Sequence, residues 1–206
     1  MNRYLTLSAL AISALLLAGC GGGGGGSSSS ASGTDSGRSS AVADSSESAS
    51  TAKPADNDTV VIGGCEVDRY QAAMLERVNA ARATARSCGA EAFAAAQPLS
   101  YNCPIEGAAV SHSNDMATHN FFSHIGSDGL RVGARVTATA YNWSVVGENI
   151  AGGYDDVETV MAAWLESPGH CRNIMDPRFT EFAVYRVDAT NADYANYWTQ
   201  VFATPQ

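Results

Sequence analysis

The stretch Trp164-Leu165-Glu166-Ser167-Pro168-Gly169-His170-Cys171-Arg172-Asn173-Ile174-Met175 joins the end of an amphipathic helix to a histidine and a cysteine. Upstream of it, Val157, Val160, Met161, Trp164 and Leu165 fall on one helical stripe, with Asp155 or Asp156 as the cap. Ser167-Pro168-Gly169 reads as the stop, because proline cannot continue the hydrogen-bond ladder. Two further segments carry the remaining chemistry. One is Gly147-Glu148-Asn149-Ile150-Ala151-Gly152-Gly153-Tyr154, a short strand over 145–151 running into two glycines; the other is Phe121-Phe122-Ser123-His124.

The rest of the pattern alternates between helix and strand. Residues 67–86 read as a helix, with Tyr70, Met74, Val78 and Ala81 on one face and Gly89 just beyond its end. A second helix starts near Pro104, a residue suited to a first turn, and ends near Asn120. Its stripe is Ile105, Ala108, Ala109, His112 and Met116. A loop over 126–129 leads to a short segment over 131–140. Residues 181–187 and 194–203 alternate as strands around the turn-forming 188–193. Helices and antiparallel-looking strands in this order predict an α+β domain.

The first third is of another kind. Arg3 precedes an apolar run over 5–17, too short to cross a bilayer, which takes roughly 20 residues, and suited to a signal peptide over 1–19. Leu17-Ala18-Gly19-Cys20 resembles the lipobox of bacterial lipoproteins, so Cys20 is expected to be acylated and to hold the chain to a membrane. Residues 20–62 begin with six glycines and a serine run, and Val42 is the only bulky aliphatic residue before Thr59. Such a composition cannot offset its backbone entropy, which predicts a disordered tether ahead of a domain over 63–206. Gly21 in place of an aspartate after Cys20 favours the outer membrane in a cell that has one.

From Cys65 onward there are nine arginines, no lysine and sixteen acidic residues, a net charge of −7 that excludes a nucleic-acid surface. With Cys20 assigned to lipid, Cys65, Cys88, Cys103 and Cys171 remain. An even count in an exported domain predicts two disulfides, and spacing alone leaves three pairings open. No pair has CxxC spacing, so a zinc ribbon is not expected.

His124, Glu148 and His170 are the residue types of a metal triad with open positions, and equally of a general acid and base. Their separations require a fold to bring them together. The segments SHSNDMATHNFFSH (111–124), GENIAGGY (147–154), WLESPGHCRNIM (164–175) and YWTQVF (197–202) closely resemble, in that order, the CAP (SCP-like) superfamily of cysteine-rich secretory, antigen 5 and pathogenesis-related proteins. The resemblance covers residues 67–204. It implies a three-layer α-β-α sandwich with a central cleft holding two histidines and usually two acids. By motif, His124 and His170 match the histidines and Glu148 the glutamate of the GEN motif. Ser167 stands where animal-type members carry the second acid, and neighbouring Glu166 points about 100° away on an ideal helix. The missing acid leaves His124, Glu148 and His170 as a weak three-ligand site for Zn²⁺ or another divalent cation. The resemblance also implies a Cys88–Cys171 bond, leaving Cys65–Cys103.

Several residues have plainer readings. His112 is expected as a buried core histidine and His119 as a solvated helix-end residue. Glu148 can orient a histidine instead of meeting a ligand. Ser167 lacks a GxSxG elbow, which argues against a nucleophile. Asn149, Asn173 and Gln200 are expected to tie loops together. The leading expectation is an envelope-anchored domain that binds a small ligand, lipid or cell-wall component in a cleft of His124, Glu148, His170 and Ser167, without turnover. A metal-assisted hydrolase using His124, Glu148 and His170 is the alternative, and a purely structural envelope protein the third.

Overall fold

The structure, a computed structural model, describes residues 58–206. The signal peptide, Cys20 and the tether up to residue 57 lie outside the described residues.

The ordered region starts earlier than residue 63. Strand β1 (Thr59–Ile62) pairs antiparallel with β2 (Cys65–Asp68), so the last four residues assigned to the tether belong to a hairpin. Its two-residue turn, Gly63-Gly64, has φ of 58° and 80°, which suits glycine at both positions. Helix α1 (Arg69–Arg82) follows; Gln71 Oε1 accepts the Asp68 N–H at 2.8 Å in its first turn. It is shorter than the expected 67–86. Val67 is taken into β2, and beyond Arg82 the chain turns into a second hairpin, β3 (Arg86–Cys88) and β4 (Glu91–Phe93). Strand β5 (Ser100–Tyr101) leads to α2 (Cys103–His119), capped by Asn102, whose side chain accepts the Ile105 N–H at 3.1 Å.

Residues 131–140 resolve into α3 (Val132–Ala138), and β6 (Trp143–Gly152) runs two residues further back than its hydrophobic core suggests. In α4 (Val157–Glu166) the cap is Asp156, which accepts the Thr159 N–H at 2.7 Å. Ser167 does end α4, but Pro168 opens another helix, α5 (Pro168–Met175). Proline at a first helical position loses no bond, because that N–H has no intrahelical acceptor. The expected stop is therefore a corner between two helices, and His170 and Cys171 are helical residues. Strands β7 (Glu181–Asp188) and β8 (Asn196–Pro205) close the chain.

The main sheet has the order β5-β7-β8-β6, parallel between β5 and β7 and antiparallel elsewhere. Helix α2 lies across β7 and β8, and α3 against β6. Helices α1, α4 and α5 pack on one another, with α1 reaching β7 and α5 reaching β6. Side-chain direction assigns the layers: on β8, Thr199 meets Ser113 of α2, whereas Gln200 and Trp198 meet Met74 and Tyr70 of α1. This is the expected α+β, three-layer α-β-α sandwich. Trp164, Trp198, Phe182 and Phe202 are essentially fully buried, each contributing about 2–3 kcal/mol by removal from water.

Two disulfides brace the layers. Cys65–Cys103 ties β2 to the start of α2, and Cys88–Cys171 ties β3 to α5. A buried cation does similar work. Arg82 is wholly inaccessible and donates to the carbonyls of Gln97, Ile174, Asp176 and Phe179 at 2.7–3.2 Å. It thereby joins the end of α1 to the C-terminal end of α5.

Candidate functional site

The candidate residues converge on β6, an edge strand of the main sheet. An open edge leaves alternate carbonyls without strand partners, and here side chains supply the donors. Asn173 donates to the Glu148 carbonyl at 2.9 Å and Trp164 Nε1 to the Ile150 carbonyl at 3.1 Å. The edge is thereby closed to another strand, and α4 and α5 are held against it. Asn149 continues the tie, donating to the His170 carbonyl at 3.2 Å and to Gln200 Oε1 at 3.1 Å. Asn149, Asn173 and Gln200, expected to tie loops, instead tie β6 to α5 and β8.

Glu148 points to the opposite layer, toward α2 and α3. Its carboxylate is almost inaccessible and both oxygens are engaged. Oε1 accepts from His124 Nδ1 at 2.8 Å, and Oε2 from an Arg135 guanidinium nitrogen at 2.7 Å. A carboxylate only accepts, so His124 carries its proton on Nδ1 and its Nε2 edge faces outward. The His124 side chain is 46% exposed. Glu148 thus orients His124 through Oε1.

Arg135 was missed in the sequence, where it sits in a segment without a clear stripe. It lies in α3, is 8% exposed, and also donates to the carbonyls of Leu130 and His124 at 3.0 and 3.3 Å. The loop bearing His124 is thus gripped through its own backbone. His112 grips it from α2: Nε2 donates to the Ser123 carbonyl at 2.9 Å and lies 3.8 Å from Glu148 Oε1. His112 is fully buried, as its place on the apolar stripe suggested. Burial pushes its pKa down, opposed by Glu148 and reinforced by Arg135. Ser127 completes the clamp, donating from its amide and hydroxyl to Asp115 at 2.8 and 2.6 Å. His119 is exposed and pairs with Asp115 one turn back.

His170 approaches from α5. Burial holds its pKa below the ordinary value, and the neighbouring His124 lowers it further. Beside it runs a cleft of about 360 Å³ whose walls include Phe122, Tyr154, Trp164 and Tyr194, with Ser167 and His170 as its polar members. Tyr194 rests over Gly152, where an added Cβ would fall 2.7 Å from its ring, and meets the Phe122 ring at a tilt of 55° with centroids 5.4 Å apart. A second hollow of about 240 Å³ is lined by His124, Arg131, Val132 and Glu148. Ser167 has no hydrogen bond to His170 among the described residues, so no nucleophile–base pair is formed.

Glu148 is turned to His124 and Arg135 and is not placed as a third direct ligand beside His124 and His170 for the expected divalent cation. Each Glu148 oxygen already accepts a hydrogen bond, one of them from a permanent positive charge, which weakens the carboxylate as a direct cation ligand. Among the described residues no group of three or more His, Cys, Asp or Glu side chains is placed to hold a metal ion.

The family described as "CAP: Cysteine-rich secretory protein family" matches residues 75–202, more than half of the chain. The uncharacterized protein YkwD of Bacillus subtilis (strain 168) is 31% identical over 106 residues, which cover 52% of this chain and 39% of that protein. Among solved structures, an extracellular protein containing a SCP domain from Bacillus anthracis aligns with a TM-score of 0.46 and 29% identity. The alignment covers 52% of this chain and 34% of that one. An outer surface protein of Borrelia burgdorferi aligns with a TM-score of 0.48 and 19% identity, over 52% of this chain and 78% of its own. The chain thus spans well under half the length of YkwD and of the Bacillus anthracis protein.

Proposed function

The chain belongs to the CAP, or cysteine-rich secretory protein, family, and from that premise we propose an exported binding module without catalytic turnover. Its cleft takes a small ligand, a lipid or a cell-wall component, and a lipid on Cys20 holds the domain at the cell envelope. The observation carrying this reading is the state of Glu148: its two oxygens are spent on His124 and Arg135. A general base needs a lone pair free to take a proton, and a metal site needs one to give. Glu148 is engaged by a donor on each oxygen, which weakens it in either role, and it fixes His124 in a hollow of its own, while Phe122, Tyr154, Trp164 and Tyr194 wall the cleft at His170. Aromatic walls with a few fixed polar groups are the usual make-up of a ligand site. Two disulfides support export, since such bonds persist in oxidising compartments.

The test has two arms. Native mass spectrometry of protein recovered from its own envelope should show a bound small molecule that is lost from a His124→Ala/His170→Ala variant. The same preparations, assayed on peptide, ester and glycoside substrates, should show no turnover that depends on these histidines. Robust histidine-dependent turnover abolished by chelation would replace this reading with the metal-assisted hydrolase.

A further inference from the structure

The hollow beside His124 has a charge balance opposite to that of a cation site. Its lining is His124, Arg131, Val132 and Glu148. The one carboxylate among these is neutralised from behind by Arg135 and hydrogen-bonded by His124. Arg131, at the N-cap of α3, is exposed, and its guanidinium has no hydrogen-bond or ion-pair partner among the described residues. Neighbouring acids are otherwise occupied. Asp115 accepts from Ser127 and pairs with His119, and Asp128 Oδ1 accepts the Leu130 N–H at 2.8 Å. Across the site, the position at which the second acid is expected is Ser167, a neutral hydroxyl. An unpaired guanidinium facing the same hollow as a half-exposed imidazole can hold an oxyanion with two parallel N–H···O bonds.

We propose that this hollow is an oxyanion site, in which Arg131 supplies the charge and the fork and His124 fixes the position of a carboxylate or phosphate group. The inference rests on the binding-module reading and narrows it: the ligand carries an oxyanion, and the aromatic cleft beside His170 receives its apolar or ring-bearing part. Arg135 is a positioning residue. It keeps the Glu148 charge from repelling the ligand and sets the His124 ring through the His124 carbonyl.

The experiment is NMR titration of the full-length protein, with both disulfides formed, following the Arg131 side-chain Nε–H and the His124 ring. The probes are inorganic phosphate, acetate, Mg²⁺ and the uncharged benzyl alcohol. Phosphate and acetate should give saturable shifts at both residues, and Mg²⁺ should give none. Arg131→Gln, at an exposed position that leaves the core intact, should weaken phosphate binding at least about tenfold, the usual scale of losing a charge-assisted bidentate pair. Arg131→Lys should restore part of it, because the charge returns without the fork. Phosphate and acetate without effect, or with shifts unchanged in Arg131→Gln, would overturn the oxyanion site. If benzyl alcohol then still saturates the cleft at Trp164 and Tyr194, the binding reading survives while this inference falls. Silence from every probe would remove the oxyanion site and count against the binding reading as well.

Discussion

Arg135→Met is the perturbation that reaches furthest into the site. Arg135 is 8% exposed and makes three contacts, to Glu148 Oε2 at 2.7 Å and to the carbonyls of Leu130 and His124 at 3.0 and 3.3 Å. Removing one partner of a buried pair leaves an uncompensated charge, at a cost of roughly 3–5 kcal/mol. Glu148 keeps its bond to His124, which places the expected loss toward the lower end, about 3 kcal/mol. With a urea m-value of about 2 kcal/mol/M for a domain of this size, the midpoint should fall by about 1.5 M. The comparison that isolates the mechanism is Arg135→Met/Glu148→Leu. Replacing both charges with apolar side chains leaves no stranded carboxylate, so the double variant should recover most of the loss. Equilibrium urea unfolding followed by tryptophan fluorescence reads both. A midpoint shift under about 0.5 M for the single variant, or a double variant no more stable than it, would refute the buried-pair reasoning.

Four further outcomes follow from the same geometry. Replacing Cys88 and Cys171 by serine opens a loop with a sequence separation of 83, and chain-entropy reasoning gives a loss of about 4–5 kcal/mol in thermal or urea unfolding. Arg82→Met leaves four carbonyls without their donor, those of Ile174 and Phe179 in buried bonds, and should cost about 3 kcal/mol or more, with amide exchange accelerating in α5. Gly147→Ala would place a Cβ 2.7 Å from the buried Phe179 ring, and the overpacking should lower stability by about 1–3 kcal/mol by the same denaturation measurement. His112 and His170 both have folded pKa values below their ordinary 6.5, chiefly through burial. The unfolded chain then binds more protons, so stability should be full above about pH 6.5 and fall as the pH drops below it, by at most about 1.4 kcal/mol per unit per histidine. His112→Gln should flatten that slope, as read from unfolding midpoints between pH 7 and pH 5.

Much of the architecture was legible because its signals are local. The stripe Val157, Val160, Met161, Trp164 is a periodicity, and all four residues are buried in α4. The alternation in β7 and β8 is a period of two, and both are strands of the main sheet. The motif resemblance located His124, Glu148 and His170 and implied the Cys88–Cys171 pairing seen in the structure. What escaped were features whose meaning is made by distant partners. Arg135 looks like any surface arginine until Glu148 and two carbonyls surround it. Arg82 lies next to Ala81 on a helix, and only the carbonyls of Gln97 and of the segment around the end of α5 explain its burial. Trp164 reads as plain core, and its indole N–H acquires its role from the edge of β6. Two local signals were there to be read: Gly63-Gly64 between Val60-Val61-Ile62 and Cys65-Glu66-Val67 is a hairpin turn, and Ser167-Pro168 is as good a helix start as a helix stop.

Glu148 is hydrogen-bonded to His124 and Arg135, and the proposed function is recognition of a ligand without a divalent cation. The most direct measurement is calorimetric titration of Zn²⁺ into the full-length protein, beside the His124→Ala/His170→Ala variant. Weak binding that the double substitution leaves unchanged is the expected result. Tight one-to-one binding that disappears in the variant would contradict it.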